Sequence, residues 1–97
     1  MASPIELQWS EDALADLDWF AAFLLERSPE LAATVADAII ARTQILSRHP
    51  RIGRPLAGRE EYRQLVLQVL GADYVFQYRF DGEHLVILRV FHAREAR

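Results

Sequence analysis

Tyr74-Val75-Phe76-Gln77-Tyr78-Arg79-Phe80-Asp81-Gly82-Glu83-His84-Leu85-Val86-Ile87-Leu88-Arg89-Val90-Phe91 is the stretch whose reading decides the fold. Its first half sets an aromatic ring at every second position: Tyr74, Phe76, Tyr78 and Phe80. Val75, Gln77 and Arg79 alternate with them. A period of two with bulky rings on one side predicts a strand that buries its aromatic face. Asp81-Gly82 is a two-residue hairpin signal. Residues 85–91 then return as an almost continuously apolar strand, the pattern of a strand in the middle of a sheet.

Working outward, 62–70 alternates and is predicted as the strand before Tyr74, with Gly71-Ala72-Asp73 as the turn between them. The segment 50–58 holds two prolines and two glycines and is predicted as a loop. Upstream, the period changes to that of a helix. Leu31, Val35, Ala38, Ile39, Arg42 and Leu46 trace the inner face of a helix over 30–49, opened by Ser28-Pro29 as N-cap and first helical residue and ended at Pro50. Leu14, Leu17, Ala21 and Leu24, widened by Phe20, trace a helix over 11–27 with Ser10 as N-cap. Glu11 and Asp12 suit its first turn, and Asp12, Asp16 and Glu26 fall on its solvent side. Ile5, Leu7 and Trp9 alternate with Glu6 and Gln8 as a short first strand over 5–9.

The order is β-α-α-β-β-β. A short break between two long helices implies an antiparallel helical hairpin. Two apolar stripes must then be buried on one face of a sheet. The expected fold is α+β: a single two-layer domain over 1–97, with the N-terminal strand and helical hairpin packed on an antiparallel sheet.

The chain has 97 residues, 52% of them hydrophobic, enough for one core and too many for a disordered chain. It has no cysteine, which excludes disulfides, thiolate catalysis and cysteine–zinc sites. No signal peptide is read at Met1-Ala2-Ser3-Pro4 and no membrane span is expected, so the expected location is the cytoplasm. Residues 1–50 carry three arginines against eight acids, and 51–97 carry eight against six; there is no lysine. An acidic front half is a poor start for gripping phosphates, so sequence-specific DNA binding by this chain alone is not expected. His49, His84 and His92 lack metal-ligand spacing, so no metal or other cofactor is expected.

These landmarks in this order resemble the ParE/RelE toxin superfamily of type II toxin–antitoxin systems: the first strand, the Ser28-Pro29 break, Pro50…Gly53-Arg54-Pro55, Tyr62-Arg63, Tyr74-Val75-Phe76-Gln77-Tyr78-Arg79 and Ile87-Leu88-Arg89-Val90-Phe91-His92-Ala93-Arg94. The resemblance spans essentially the whole chain. It implies a toxin neutralised by a cognate antitoxin whose tail orders on binding. It also implies one of two targets: the RelE-like branch cleaves mRNA in the ribosome, and the ParE-like branch inhibits DNA gyrase. RelE-like nucleases usually carry arginine directly after the tyrosine that opens the third strand, where this chain has Val75. They add upstream lysines, absent here, and often a basic or tyrosine residue in a C-terminal helix, whereas this chain is expected to end at Arg97 without one. The ParE-like branch is the closer resemblance, and it implies inhibition of gyrase by binding.

Cleaving RNA at a 2′-hydroxyl needs a base, an acid and cations around the phosphate. The candidates are His92, Arg94 and Arg63. Strand alternation sets Arg89 on the side opposite His92, which leaves that set incomplete. The candidates for target or antitoxin binding are Trp19, Phe23, Arg63, Arg79, Arg89 and Arg94. Each has a plainer reading: Trp19 and Phe23 as core, the four arginines as partners of acids on the first helix, and His92 as a strand-end hydrogen-bonding residue. Three functions stay open: a gyrase-directed toxin, a ribosome-dependent mRNA endonuclease, and an inactive homologue that only binds its antitoxin.

Overall fold

The computed structural model describes residues 4–26 and 28–93. Within them the chain runs β1 (Leu7–Trp9), α1 (Glu11–Leu25), α2 (Pro29–Thr43), α3 (Ile45–Arg48), β2 (Arg54–Leu56), β3 (Arg59–Val69), β4 (Ala72–Phe80) and β5 (Leu85–His92). One five-stranded sheet has the order β1-β5-β4-β3-β2. Strands β2 to β5 pair antiparallel, and β1 joins β5 in parallel. The two-layer α+β fold is as expected. The 85–91 strand lies inside the sheet, between β1 and β4.

The aromatic face of β4 is the floor of the core. Tyr74, Phe76, Tyr78 and Phe80 are all buried, together with Leu67 and Val69 of β3 and Leu85, Ile87 and Val90 of β5. Both long helices close over it: Ala13, Leu17 and Phe20 from α1 and Val35 and Ile39 from α2 belong to the same cluster. Phe20 meets Tyr74 edge to face at 5.4 Å between ring centroids. Burying one such large apolar side chain contributes about 1.5–3 kcal/mol, so this cluster carries most of the drive to fold.

Both helix starts are capped as the sequence predicts. Ser10 Oγ accepts the Ala13 N–H at 3.0 Å, and Ser28 Oγ accepts the Leu31 N–H at 3.2 Å ahead of Pro29. The helix faces are as predicted at Leu17, Phe20, Val35, Ile39 and Leu46 and differ elsewhere, while the side chain of Leu24 lies outside the described residues. In α1 Leu14 is 49% exposed, and Asp16, expected in solvent, is 3% exposed. A carboxylate can turn inward when charged and backbone donors wait for it, and three do so here. In α2 Leu31 and Arg42 are exposed, and Ala32 and Thr43 take the inner positions. Thr43 satisfies its hydroxyl by donating to the Ile40 carbonyl at 2.7 Å. The helix expected over 30–49 breaks at Gln44, whose N–H turns back to Ala41 and Arg42, and resumes as the single turn α3.

Two further differences concern the 50–58 loop and the hairpin. The loop contains β2, because an outermost strand tolerates Pro55, which donates no ladder hydrogen bond. The Asp81-Gly82 turn has four residues rather than two, since Phe80 pairs with Leu85. The Asp81 carboxylate accepts the N–H groups of Glu83 at 2.9 Å and His84 at 2.7 Å, and Gly82 takes φ +102°. An aspartate that ties its own turn in this way replaces the shorter hairpin loop.

Those two bonds, that from His84 first, hold the Asp81 carboxyl down at about 2. A depressed value means that the turn's contribution is present above the ordinary value of 3.8 and is lost as pH falls through about 2. The side-chain carboxyl carbon of Asp81, followed by NMR, is expected to titrate near pH 2. A midpoint near 3.8 would show that the turn does not hold its aspartate.

Candidate functional site

The predicted site residues fall into separate places, each fixed by its strand register. Arg63 on β3 stands opposite Tyr78. Its Nη1 donates to the carbonyls of Arg51 at 3.1 Å and Gly53 at 2.8 Å. The buried Tyr78 hydroxyl accepts the Gly53 N–H at 2.9 Å and donates to the Pro50 carbonyl at 2.8 Å. Burial raises the Tyr78 hydroxyl above its ordinary value, so it remains a donor. Arg63 and Tyr78 together knit residues 50–53 to the sheet. A Cβ on Gly53 would lie 2.6 Å from the Tyr78 hydroxyl oxygen, so this loop position needs glycine.

Arg79 belongs to the helix-free face. It pairs with Glu61 at 2.8 Å and approaches Asp81 at 3.9 Å. Its guanidinium and that of Arg59 lie 5.9 and 4.4 Å from the Tyr62 ring centroid. Its acid partners are therefore on β3 and the hairpin, not on α1. Arg89 does pair with α1: its Nε and Nη2 donate to Asp16 at 2.9 and 3.0 Å, and the Val90 N–H donates to the same carboxylate at 2.8 Å.

A bulge explains this local geometry. Gln77 pairs with Arg89 but Tyr78 pairs with Ile87, which leaves Leu88 unopposed. The slip lets Ile87 and Val90 both enter the core. Arg89 lines up with Gln77, while His92 lines up with the buried Tyr74 and meets its ring at 5.3 Å. Arg89 and His92 thus belong to opposite sides, as alternation predicts.

Val75 sits on the helix-free face in a row with Val66 and Phe91. His92 is opposite Tyr74, whereas Arg63 is opposite Tyr78, four residues along β4. These two candidates for acid–base chemistry are therefore about 13 Å apart along the sheet. Arg94 and the side chain of Phe23 lie outside the described residues. Trp19 is 50% exposed and meets the Phe20 ring edge to face at 5.5 Å. No group of three His, Asp or Glu side chains that could hold a metal occurs among the described residues. Two features escaped sequence reading, the Asp16 clamp and the knitted 50–53 loop. Gly53 beside Arg54-Pro55 was the signal available for the loop, and the bulge at Leu88 has no sequence mark.

The two edges of the sheet differ. β1 pairs only with Leu85, Gln8's partner Val86 and Ile87. Beyond it α1 seals the β5 edge, through Ser10 Oγ to the Leu88 carbonyl at 2.9 Å and Asp16 to the Val90 N–H. On the far side β2 pairs with Arg59, Arg63 and Gln64 of β3. The rest of that edge, 65–69, has no strand partner among the described residues.

The sequence model of the ParE toxin of the type II toxin–antitoxin system parDE matches residues 7–97. The chain belongs to the ParE toxin family. This toxin is 33% identical over 85 residues to Toxin RelE3 of Caulobacter vibrioides, covering 88% of this chain and 90% of that protein. It is 33% identical over 90 residues to the putative toxin Y4kP of Sinorhizobium fredii, covering 92% and 88%. Its fold matches a chain of the chromosomal ParDE system from P. aeruginosa with a TM-score of 0.71 at 20% identity, covering 94% of this chain and 98% of that one. It also matches a chain of the toxin–antitoxin complex RelBE2 from Mycobacterium tuberculosis with a TM-score of 0.61 at 27% identity, covering 92% and 98%. The protein is a type II toxin of the ParE/RelE superfamily. Among its described residues no helix is long and apolar enough to cross a membrane.

The toxin's loop geometry makes a direct prediction. Arg63→Gln withdraws a donor from two carbonyls, and Gly53→Ala forces the loop off Tyr78. Each is expected to lower stability to urea by about 1–3 kcal/mol and to speed amide exchange at Gly53 ahead of the core. Unchanged exchange of the position-53 amide in both variants would show that Arg63 and Tyr78 do not hold the loop.

Proposed function

We propose that this toxin acts by binding DNA gyrase, and that a cognate antitoxin holds it inactive until released. The observation that carries the reading is the engagement of its cations. Arg63 is tied to two loop carbonyls, Arg79 to Glu61, and Arg89 to Asp16. Cleaving a phosphodiester needs cations aimed at the developing charge and an acid–base pair within reach of one atom. Val75 stands where the RelE-like pattern has arginine, and His92 rests on Tyr74 at a distance from Arg63. A protein-binding mode asks for none of that chemistry. Both target and toxin would then meet in the cytoplasm.

The second reading, a ribosome-dependent mRNA endonuclease using His92 and Arg94, draws support from the 33% identity to a relative named RelE3. Two assays on the purified full chain separate the readings. Inhibition of gyrase supercoiling, with no codon-dependent mRNA cleavage in a translating extract, is expected. Cleavage that disappears in Arg94→Ala would establish the nuclease instead. A chain silent in both assays that still binds its antitoxin would be an inactive homologue.

The antitoxin reading rests on the surface left open. An added strand fits the 65–69 edge of β3, where the Gln68 carbonyl accepts from Arg42 Nε at 3.3 Å. The helical hairpin offers the half-exposed Trp19. An interface aromatic of this kind is an anchor worth about 2 kcal/mol or more when truncated. Trp19→Ala should weaken the complex with the co-encoded antitoxin by about 30-fold in titration calorimetry. Its fold should be nearly unaffected, because half of the side chain is already in solvent. An unchanged affinity would remove α1 from the interface.

A further inference from the structure

Residues 38–59 contain five arginines, Arg42, Arg48, Arg51, Arg54 and Arg59, together with His49, and no carboxylate, in a chain whose net charge is −3. The fold gathers the middle of this run at one end of the molecule, formed by α3, the 49–54 loop and β2. A cleft of about 480 Å³ lies there, lined by Ile45, His49, Pro50, Arg51 and Ile52. A second, of about 530 Å³, shares Ile45 and His49 with it and continues to Pro4 and Arg48. We propose that this end of the toxin docks an acidic polypeptide segment that seats an apolar side chain in the Ile45–Ile52 cleft. The inference goes beyond the gyrase reading and does not depend on which protein carries the segment.

Three independent observations converge on it. The first is charge. Among the described residues Arg48, Arg51 and Arg54 form no ion pair; the pairs present involve Arg79, His84 and Arg89. The hairpin comes close, since a Cβ on Gly82 would stand 4.0 Å from Arg51 Nη2. Its Asp81 is nevertheless held by the Glu83 and His84 N–H groups. Arg51 instead lies over the Phe80 ring at 4.8 Å, which fixes its guanidinium at the rim.

The second is apolarity. Ile52 is 47% exposed on the loop beside Pro50 and Ile45, so the floor of the cleft suits an aliphatic or aromatic side chain. This feature selects a peptide over a nucleic acid. A single strand would call for a platform of several exposed rings on which successive bases stack, and the described lining of the cleft offers one ring, that of His49, among aliphatic side chains.

The third is rigidity. Tyr78 and Arg63 hold residues 50–53 by four hydrogen bonds, and the Ile5 N–H fastens α3 through the Ser47 carbonyl at 2.8 Å. A loop already ordered before binding loses little entropy on binding, and its exposed isoleucine is presented at a fixed place.

The test is a selection from a displayed random-peptide library on the immobilised full chain, with Arg51→Glu/Ile52→Ser as the comparison. Both residues are exposed, so the double variant should keep the parent's circular dichroism, its urea midpoint lowered only by loss of the Arg51–Phe80 contact. The enriched peptides are expected to be acidic and to carry at least one Leu, Phe or Trp. They should bind the double variant at least about tenfold more weakly, and added salt should weaken them further. Should that variant misfold, Arg48→Glu/Arg54→Glu, altered only in exposed charges, must show the same loss. A basic or uncharged consensus, no enrichment, equal binding to the folded variants, or equal competition by a single-stranded oligonucleotide would overturn the proposal.

Discussion

Asp16 sits inside the protein and accepts three hydrogen bonds from one short segment of β5: two from the Arg89 guanidinium and one from the Val90 N–H. The need for it starts with β1, which has only three residues and covers β5 only as far as Ile87. The next backbone groups along that edge would face the helix layer without partners, and a buried unpaired N–H is costly. Ser10 and Asp16 meet them from α1, so the helix takes the place of a longer strand. Arg89 balances the buried charge. The rotation of α1 follows from this contact: with Asp16 turned inward, Ala13, Leu17 and Phe20 face the core, and Leu14 and Trp19 face solvent.

The same contact bears on function. Arg89 commits two of its donors to a buried carboxylate, and Arg63 and Arg79 are likewise engaged within the fold. Arg63 organises a loop through neutral carbonyls, while Arg79 makes a half-exposed pair that contributes about 0–1 kcal/mol. Among the described residues Arg48, Arg51 and Arg54 form no ion pair; Arg51 lines the apolar cleft beside Ile52, Arg48 lines the adjoining one, and Arg54 follows on β2. The protein accordingly presents an open strand edge, an exposed tryptophan and a cationic cleft at different places on one small body.

Much of this fold was legible because its strongest signals are local. Tyr74, Phe76, Tyr78 and Phe80 could be assigned to one buried face from their spacing alone, and Ser10 and Ser28-Pro29 marked helix starts that capping bonds then realised. The errors have a common physical origin. Periodicity counts a carboxylate as solvent-facing and a leucine as core, so in α1 it placed Leu17 and Phe20 correctly but exchanged Leu14 and Asp16: nothing local reveals that Arg89, 73 residues away in sequence, will meet Asp16. The short strand at Pro55 was invisible because a three-residue edge strand inside a Pro/Gly-rich segment has no alternation to read. For the site, the residue types were recognisable but their partners were not. Whether Arg63 met a phosphate, an acid or a carbonyl depended on Tyr78 drawing the 50–53 loop beneath it.

The central claim is that Arg89 is a structural arginine joined to Asp16, not a cation kept for chemistry or for a partner. A double-mutant cycle in urea, on the parent, Asp16→Asn, Arg89→Gln and the double variant, measures that directly. Both single variants should be destabilised, and the coupling energy should reach about 2 kcal/mol, within the range found for residues sharing one hydrogen-bond network. Additive effects within about 0.5 kcal/mol, with an Arg89→Gln chain as stable as the parent yet no longer toxic, would contradict the account and make Arg89 a functional cation.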